Sequence, residues 1–520
     1  MKRKIGQILS SRNLVFIVLL LEILTIILLV SFAQEYFIDI RFALSGLSIL
    51  VGILIFNSKC NSSYKITWLL LVVVLPVFGS LCYLLFANKK FTPHEKKKMR
   101  PTTKALKAAN ASWDSGNILK KIDRDKEPDA YFFGKYLNDY SNNGIFANTK
   151  VTYFAWGVDA WKDMIVELSK AQHYIYIEYF IIGLGKMWDG ILEILKRKVR
   201  EGVDVRLLYD DLGCMNTLPP HYDRYLNKIG IKTFVVNKFR PFLDARMNNR
   251  DHRKIIVIDG HTGYTGGINL ADEYIGEKIR FGVWKDNAIK IEGDAVFGLT
   301  SLFLSHYATI DKKFGQITDF SPYLPYVYMS EKGHISDTSG FIAPYGSLPF
   351  TYETVGENVY IDLILKARKY ILITTPYLIL DEEMENALLR ASKGGVKIKI
   401  ITPHIPDKKL VFDLTRSYYK KLVNAGIEIY EYTPGFIHEK VFIVDGYIST
   451  IGTINLDYRS LFLHMENGCF IYKSKVIKDI EDDFNATLNE SRQITKEMVK
   501  SSPASKKLLR FFLKMFSAAL

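Results

Sequence analysis

Cysteine is scarce: the 520 residues include four, Cys60, Cys82, Cys214 and Cys469, with no CxxC pair and no metal-ligand spacing. That set argues against a disulfide framework or a structural zinc site and leaves the thiols as buried or incidental side chains. Clustered carboxylates are missing too, so nothing in the sequence looks like a divalent-metal site. Nor is there an interleaved basic and aromatic face of the kind that binds nucleic acid, although the formal charge is +14. What is present is an uncommon pairing of that charge with 48% hydrophobic residues. Together they imply apolar segments for a bilayer and a basic surface for an anionic partner.

The apolar residues concentrate near the amino terminus, at 14–33, 40–56 and 66–87. Each stretch is close to the roughly 20 residues a helix needs to cross the hydrocarbon core. Lys2, Arg3, Lys4 and Arg12, with Ser31-Phe32-Ala33, also fit a cleaved signal peptide, but the apolar run is long for that and more follow. An anchor region over 1–90 is expected. Lys89, Lys90, Lys96, Lys97, Lys98 and Arg100 follow the third stretch, so both flanks are basic and belong in the cytoplasm. An even number of crossings then follows, with one stretch re-entrant or interfacial. Residues 91–140 are polar and charged, and read as a juxtamembrane linker.

Beyond residue 140 the chain repeats itself. Lys170–Tyr174 leads into the strand-like Ile175–Phe180, and Lys366–Tyr370 leads into Ile371–Thr375. Each is followed by a helical stretch ending in Gly-Val, at 202–203 and 395–396, and by a second strand, Val205–Tyr209 or Ile398–Ile401. Apolar strands alternating with helices define an α/β chain with two similar lobes, and the seam between lobes is the natural place for chemistry.

The strongest signal is a constellation written twice. His252-Arg253-Lys254 precedes an apolar strand that ends at Asp259, and Gly266-Gly267-Ile268-Asn269 comes next. His438-Glu439-Lys440 precedes a strand ending at Asp445, and Gly452-Thr453-Ile454-Asn455 comes next. The asparagine lies 17 residues after the histidine in both copies. Asp259-Gly260 and Asp445-Gly446 are turn signals, so the chain doubles back and can bring the asparagine to the histidine's edge. Residues two apart on a strand share a face, so each histidine points with its lysine. An imidazole, an ammonium and a carboxamide from each half suit a phosphodiester. Lysine and asparagine can hold phosphate oxygens, while one histidine attacks phosphorus and the other protonates the leaving alcohol. The lysines supply the positive charge a metal would otherwise bring.

These are paired HKD motifs, and the chain resembles the phospholipase D superfamily and, within it, bacterial cardiolipin synthases. The likeness runs through Lys65-Ile66-Thr67-Trp68 with Pro76, Gly79 and Tyr83, through Asn269–Tyr274, Trp284-Lys285-Asp286, Thr374–Tyr377 and Arg416–Tyr419, and through Asn455–Ser460. It implies two phospholipase-D-type lobes, 141–335 and 336–495, each a mixed sheet flanked by helices. An α-helical transmembrane region precedes them; the tail, 496–520, is basic and amphipathic and reads as a helix that lies on anionic lipid or packs on the core. It implies a catalytic set of His252, Lys254, Asp259, His438, Lys440 and Asp445, with Asn269 and Asn455 on phosphate. Glu466 would orient a catalytic histidine, and Asp286 would do the same in the first half. Gly267 stands where many superfamily members carry serine, which puts a phosphate contact there in question.

The implied reaction joins two phosphatidylglycerol molecules into cardiolipin and glycerol through a phosphatidyl-histidine on His252, with His438 as acid and base. It needs no cofactor and no metal. The implied partners are phosphatidylglycerol and anionic membrane lipids but no nucleic acid, and a homo-oligomer is compatible with the sequence. The implied setting is the bacterial plasma membrane, multi-pass, with the catalytic region in the cytoplasm. A hydrolase of the same superfamily releasing phosphatidic acid is the nearest alternative. A nuclease of the same superfamily and a scaffold with dead motifs are further off.

Overall fold

The repeat seen in the sequence becomes two sheets with one topology. The computed structural model describes residues 38–87, 93–113, 117–141, 143–238, 248–325, 338–349 and 353–517, with isolated positions between 24 and 32 and at 327 and 335. The chain forms two compact units: residues 1–90, 238–249 and 515–520 make one, and 91–237 with 250–514 make the other.

In the first unit, helices run over Ile38–Phe56, Ser62–Val74 and Pro76–Phe86. Val51, Ile55 and Val72 are buried, with Leu47, Trp68, Leu69 and Tyr83 packed on them. The apolar run 66–87, expected as one helix, is broken at Pro76. Proline has no N–H to continue the ladder and pushes the residue before it out of the helical region; Leu75 sits at φ −129, ψ 75. Gly79 is glycine because the broken halves pack closely: a side chain there would run into the Leu71 carbonyl. Among the described residues, no helix is long and apolar enough to cross a membrane. The first apolar run, 14–33, lies mostly outside the described residues.

In the second unit the strands are β1 (Thr149–Phe154), β2 (Tyr174–Tyr179), β3 (Asp204–Asp210), β4 (Lys232–Val236), β5 (Lys254–Ile258), β6 (Thr262–Gly266), β7 (Val283–Lys285) and β8 (Ala288–Gly293). There follow β9 (Phe341–Ser347), β10 (Tyr370–Thr374), β11 (Lys397–Pro403), β12 (Glu428–Tyr432), β13 (Gly435–Ile437), β14 (Val441–Val444), β15 (Ile448–Gly452), β16 (Glu466–Tyr472) and β17 (Ser491–Gln493). One sheet has the order β1-β8-β6-β5-β2-β3-β4. The other, read from its far edge, is β9-β16-β15-β14-β10-β11-β12-β17, the same order with one strand added. In each, three neighbouring strands are parallel and the rest antiparallel, which makes both sheets mixed. Crossover helices such as Lys186–Arg200 and Glu382–Lys393 bury an apolar stripe, Met187, Trp188, Ile191 and Leu195 in the first, against the sheet.

The lobes share a core. Ile255, Val257, Ile289 and Ile291 of the first sheet belong to one buried cluster with Val441, Ile443, Ile451 and Ile471 of the second. The helix Val296–Ile310, apolar on nearly every side, lies in that cluster. The stretch 91–140, expected to be a linker, contributes to it as well. It forms the helices Pro93–Ala111 and Pro128–Tyr140. Leu106 and Ala109 enter the shared core, and Phe133 stacks on Phe470 at 4.5 Å. Ala130, Phe133, Gly134 and Leu137 recur at helical spacing, a short stripe that the surrounding charges conceal in the sequence.

Candidate active site

Each HKD motif begins just before a buried central strand, β5 or β14. The hairpins turn as the Asp-Gly pairs require: Asp259 and Gly260 have φ of 47 and 67, Asp445 and Gly446 φ of 51 and 74. Asp and Gly tolerate that left-handed backbone, whose twist suits antiparallel strands. The two aspartates, expected in the catalytic set, lie at the other end of their strands, seven residues and roughly 20 Å of extended chain from the histidines. Asp259 accepts the N–H groups of Gln172, His173 and Tyr174, each at 2.8 Å. Asp445 accepts those of Arg368, Lys369 and Tyr370 at 2.7, 2.7 and 2.8 Å. There they clamp the entry to β2 and β10.

At the histidine ends the lobes interlock. β7 pairs in parallel with β13, and the His438 N–H continues that ladder to the Lys285 carbonyl at 2.8 Å. By the same device Asp251 bridges Met465, and the His252 N–H reaches the Met465 carbonyl at 2.9 Å. Each ladder sets the next residue of one lobe beside the histidine of the other. His252 Nδ1 therefore faces both Glu466 oxygens, at 3.0 and 2.9 Å, and His438 Nδ1 faces Asp286 Oδ2 at 2.6 Å. Glu466 and Asp286 do pair with the histidines, but Asp286 serves the second motif rather than its own half. Neither lobe holds a complete histidine–carboxylate couple by itself.

The couples differ. The Thr453 hydroxyl donates to Glu466, and also accepts the Asn467 N–H at 3.0 Å. Gly267, its counterpart, has no side chain because the Asp286 carboxylate occupies the space a Cβ would take. The departure from serine is thus a packing requirement. Burial alone would raise the Glu466 carboxyl, but its pairing with His252 outweighs that and holds it below the usual carboxylate range. Asp286 is pushed up to about 7 by burial, against the pull of Lys440. His252 is pushed down to about 3, by burial first, and burial with Lys440 and Lys254 holds His438 well below its usual value. Burial lowers Lys254 to about 7 and Lys440 to about 8, and the charge of Lys440 adds to the lowering of Lys254. Each lysine donates to the carbonyl of its own histidine.

The two asparagines expected on phosphate are both buried. Asn269 accepts the Ile181 N–H at 3.1 Å and donates to Tyr274 Oη at 2.5 Å. Asn455 donates to Ser460 Oγ at 3.0 Å. Each amide nitrogen keeps a second hydrogen for a ligand.

The middle residues of the motifs, Arg253 and Glu439, face away from the site and anchor ionic clusters behind it. Arg253 meets Glu178 at 2.6 Å and Asp251 at 2.9 Å. Glu439 meets Lys285 at 3.0 Å, and Lys285 also meets Asp483 at 2.8 Å, so the second cluster ties the lobes together beside Asp286. Sequence reasoning missed these clusters, together with His464 and the asparagines Asn287 and Asn467. The repeated acid-Asn pair, Asp286-Asn287 and Glu466-Asn467, was a readable signal. Among the described residues, two groups bring three ligand atoms within 4.8 Å, His252–His464–Glu466 and Glu178–Asp251–His306. In the second the Arg253 guanidinium already supplies positive charge.

Two imidazoles, each backed by a buried carboxylate and paired with a lysine across a pseudo-twofold seam, offer the groups that a phosphodiester-transfer site of the phospholipase D class needs. The family model described as cardiolipin synthase, PLD-like domain, matches residues 164–286 and 360–488, and one described as phospholipase D-nuclease N-terminal matches 46–88. A cardiolipin synthase of Alkalihalophilus pseudofirmus is 31% identical over 94% of this chain and 96% of its own. Cardiolipin synthase 1 of Staphylococcus aureus is 31% identical over 91% and 95%. An uncharacterized protein of Streptococcus mutans serotype c is 42% identical over 89% and 98%. The crystal structure of phosphatidylserine synthase from Haemophilus influenzae superposes with a TM-score of 0.55 at 15% identity, over 75% of this chain and 97% of that one, a likeness of fold. The chain belongs to the cardiolipin synthase family of the phospholipase D superfamily. It is a phosphatidyltransferase that acts on phospholipid.

Proposed function

We propose that this protein makes cardiolipin from two molecules of phosphatidylglycerol. The observation that carries the reading is the crossed pair of histidine–carboxylate couples, which provides one nucleophile and one proton carrier in a single cleft. With Nδ1 held by a carboxylate, each ring leaves Nε2 for the reacting atom. His252 Nε2 attacks phosphorus and a P–N bond forms. The P–O bond to the glycerol headgroup breaks, and His438, which takes up a proton when the anionic diester enters beside it, gives that proton to the departing alkoxide. The free hydroxyl of a second phosphatidylglycerol then enters, His438 takes its proton, and the new P–O bond replaces the P–N bond. One phosphodiester is exchanged for another, so the reaction needs no nucleotide. Lys254 and Lys440 stabilise the charge that gathers on the phosphoryl oxygens. Burial of the site favours a lipid alcohol over water as acceptor.

A membrane setting is part of this proposal. The first unit has apolar residues turned outward, Ile49, Leu50, Ile53 and Leu54 among them, where bilayer contact would cover them. The carboxy-terminal helix Ala504–Met515 was expected to lay its basic face on anionic lipid, but those cations are engaged on protein. Lys506 meets Asp413 at 2.6 Å, Arg510 meets it at 3.3 Å and Lys514 meets Glu385 at 3.6 Å. The free face carries Leu508, Phe511 and Phe512, 59%, 63% and 51% exposed, so we assign it to the apolar layer beneath the headgroups.

The experiment is to give the detergent-solubilised protein radiolabelled phosphatidylglycerol alone, without nucleotide or metal. Cardiolipin and free glycerol are expected, and both should vanish in His252→Ala and in His438→Ala. Phosphatidic acid as the sole lipid product would instead make the enzyme a hydrolase.

A further inference from the structure

Two residues ahead of each orienting carboxylate stands a ring: His464 ahead of Glu466 and Trp284 ahead of Asp286. Each abuts the histidine that its carboxylate serves. Ring centres are 5.7 Å apart for His464 and His252, and 5.8 Å apart for Trp284 and His438. Both nitrogens of His464 and the indole nitrogen of Trp284 are closed to solvent and have no hydrogen-bond partner. His464 Nδ1 lies 3.6 Å from Glu466 Oε1, beyond hydrogen-bond length. A buried N–H left unpaired is unfavourable and calls for a partner, and beside a catalytic histidine a bound ligand is a fitting one.

The other donors around the two histidines are partly committed. Lys254 and Lys440 donate to the carbonyls of His252 and His438. Asn269 and Asn455 each direct one amide hydrogen to a neighbouring side chain, and Thr453 donates to Glu466. His464 faces Glu466 through Nδ1 at 3.6 Å, and its Nε2, like the Trp284 indole nitrogen, has no partner. The lobes also surround their histidines differently: His438 sits among Trp284, Tyr274 and Phe436, whereas His252 has Phe180 and the polar His464.

We propose that His464 donates a hydrogen bond to a non-bridging oxygen of the phosphodiester held between His252 and His438, with the Trp284 N–H as its counterpart from the other lobe. A fixed donor at a phosphoryl oxygen acts most strongly as charge builds there during attack, which lowers the barrier more than it tightens ground-state binding. His464 is therefore a catalytic residue for this reaction. The inference rests on the phosphodiester chemistry proposed above and is independent of which lipid is used.

The test uses the full chain in detergent and three variants: His464→Phe keeps a ring without donors, His464→Asn keeps a donor, and Trp284→Phe removes the indole N–H. Turnover is followed with phosphatidylglycerol and with the soluble diester bis(p-nitrophenyl) phosphate, and orthovanadate serves as the probe of the charged, five-coordinate geometry. His464→Phe is expected to lower kcat about 100-fold, in the range for loss of one oxyanion donor, with a much smaller change in KM. Vanadate inhibition should weaken in parallel, His464→Asn should recover most of the loss, and Trp284→Phe should fall in the same direction by less. Turnover of His464→Phe within threefold of the parent would overturn the proposal. So would a loss of turnover with vanadate inhibition unchanged and no recovery in His464→Asn, because that pattern belongs to a packing role. If the parent cleaves the soluble diester yet makes no cardiolipin, the lipid reading fails while the vanadate comparison still decides the role of His464.

Discussion

Replacing Glu466 by Gln tests the crossed couple at its stronger end. The substitution keeps the volume of a fully buried side chain and removes the charge that both oxygens, 3.0 and 2.9 Å from His252 Nδ1, present to the ring. A hydrogen bond to a charged group contributes roughly 1.5–3 kcal/mol, and each 1.36 kcal/mol is about tenfold in rate. Glu466→Gln should therefore slow turnover by about 10- to 150-fold. Asp286→Asn should fall in a similar range through His438. The pairing itself is read by double-mutant cycles on urea unfolding of the detergent-solubilised protein, with each histidine changed to Gln. Coupling of about 1.5–3 kcal/mol is expected for His252 with Glu466 and for His438 with Asp286, and under about 0.5 kcal/mol for His252 with Asp286. A larger coupling between His252 and Asp286 than between His252 and Glu466 would refute the crossed arrangement.

Other perturbations probe the remaining parts. Asp286, pushed up to about 7, gains the carboxylate that holds His438 as pH rises, while Lys254 and Lys440, lowered to about 7 and 8, lose charge above those values. The kcat/KM profile should be a bell with its maximum near pH 7, and Asp286→Asn should remove the acid limb. Asp259→Ala strands three backbone N–H groups and should cost roughly 1–3 kcal/mol in urea unfolding, with kcat of the folded protein nearly unchanged. Lys285→Met leaves Glu439 and Asp483 without their buried cation, and a loss of about 3–5 kcal/mol is expected in the same assay. Phe511→Glu with Phe512→Glu should weaken sedimentation with phosphatidylglycerol vesicles, and raising the salt concentration should leave binding of the parent largely intact.

The parts of this structure that were legible in the sequence are those governed by local rules. The β5–β6 and β14–β15 hairpins follow from apolar tetrads ended by Asp-Gly, and the doubling of the sheet follows from the 17-residue spacing seen twice. His252 with Lys254, and His438 with Lys440, share a face because strands alternate. What local rules cannot supply is the exchange across the seam. Asp286 lies nearer in sequence to His252 than to His438, and the β7–β13 pairing that gives it to His438 joins residues some 150 positions apart. The same holds for Lys285, bound to Glu439 and Asp483. The HKD aspartates misled because motif membership says nothing of where a strand's far end lies. Residues 91–140 misled because a stripe of three apolar side chains and a glycine is hidden among charges.

The central claim is that one histidine of the crossed pair carries the phosphatidyl group while the other moves the proton. The most direct measurement is rapid quenching of the enzyme with phosphatidylglycerol labelled in its phosphate, followed by peptide mapping, in the parent and in His438→Ala. The account predicts a covalent adduct on His252 that forms and decays in the parent, and that forms slowly but persists when His438 is absent. Cardiolipin formation with no label on either histidine at any time would contradict it.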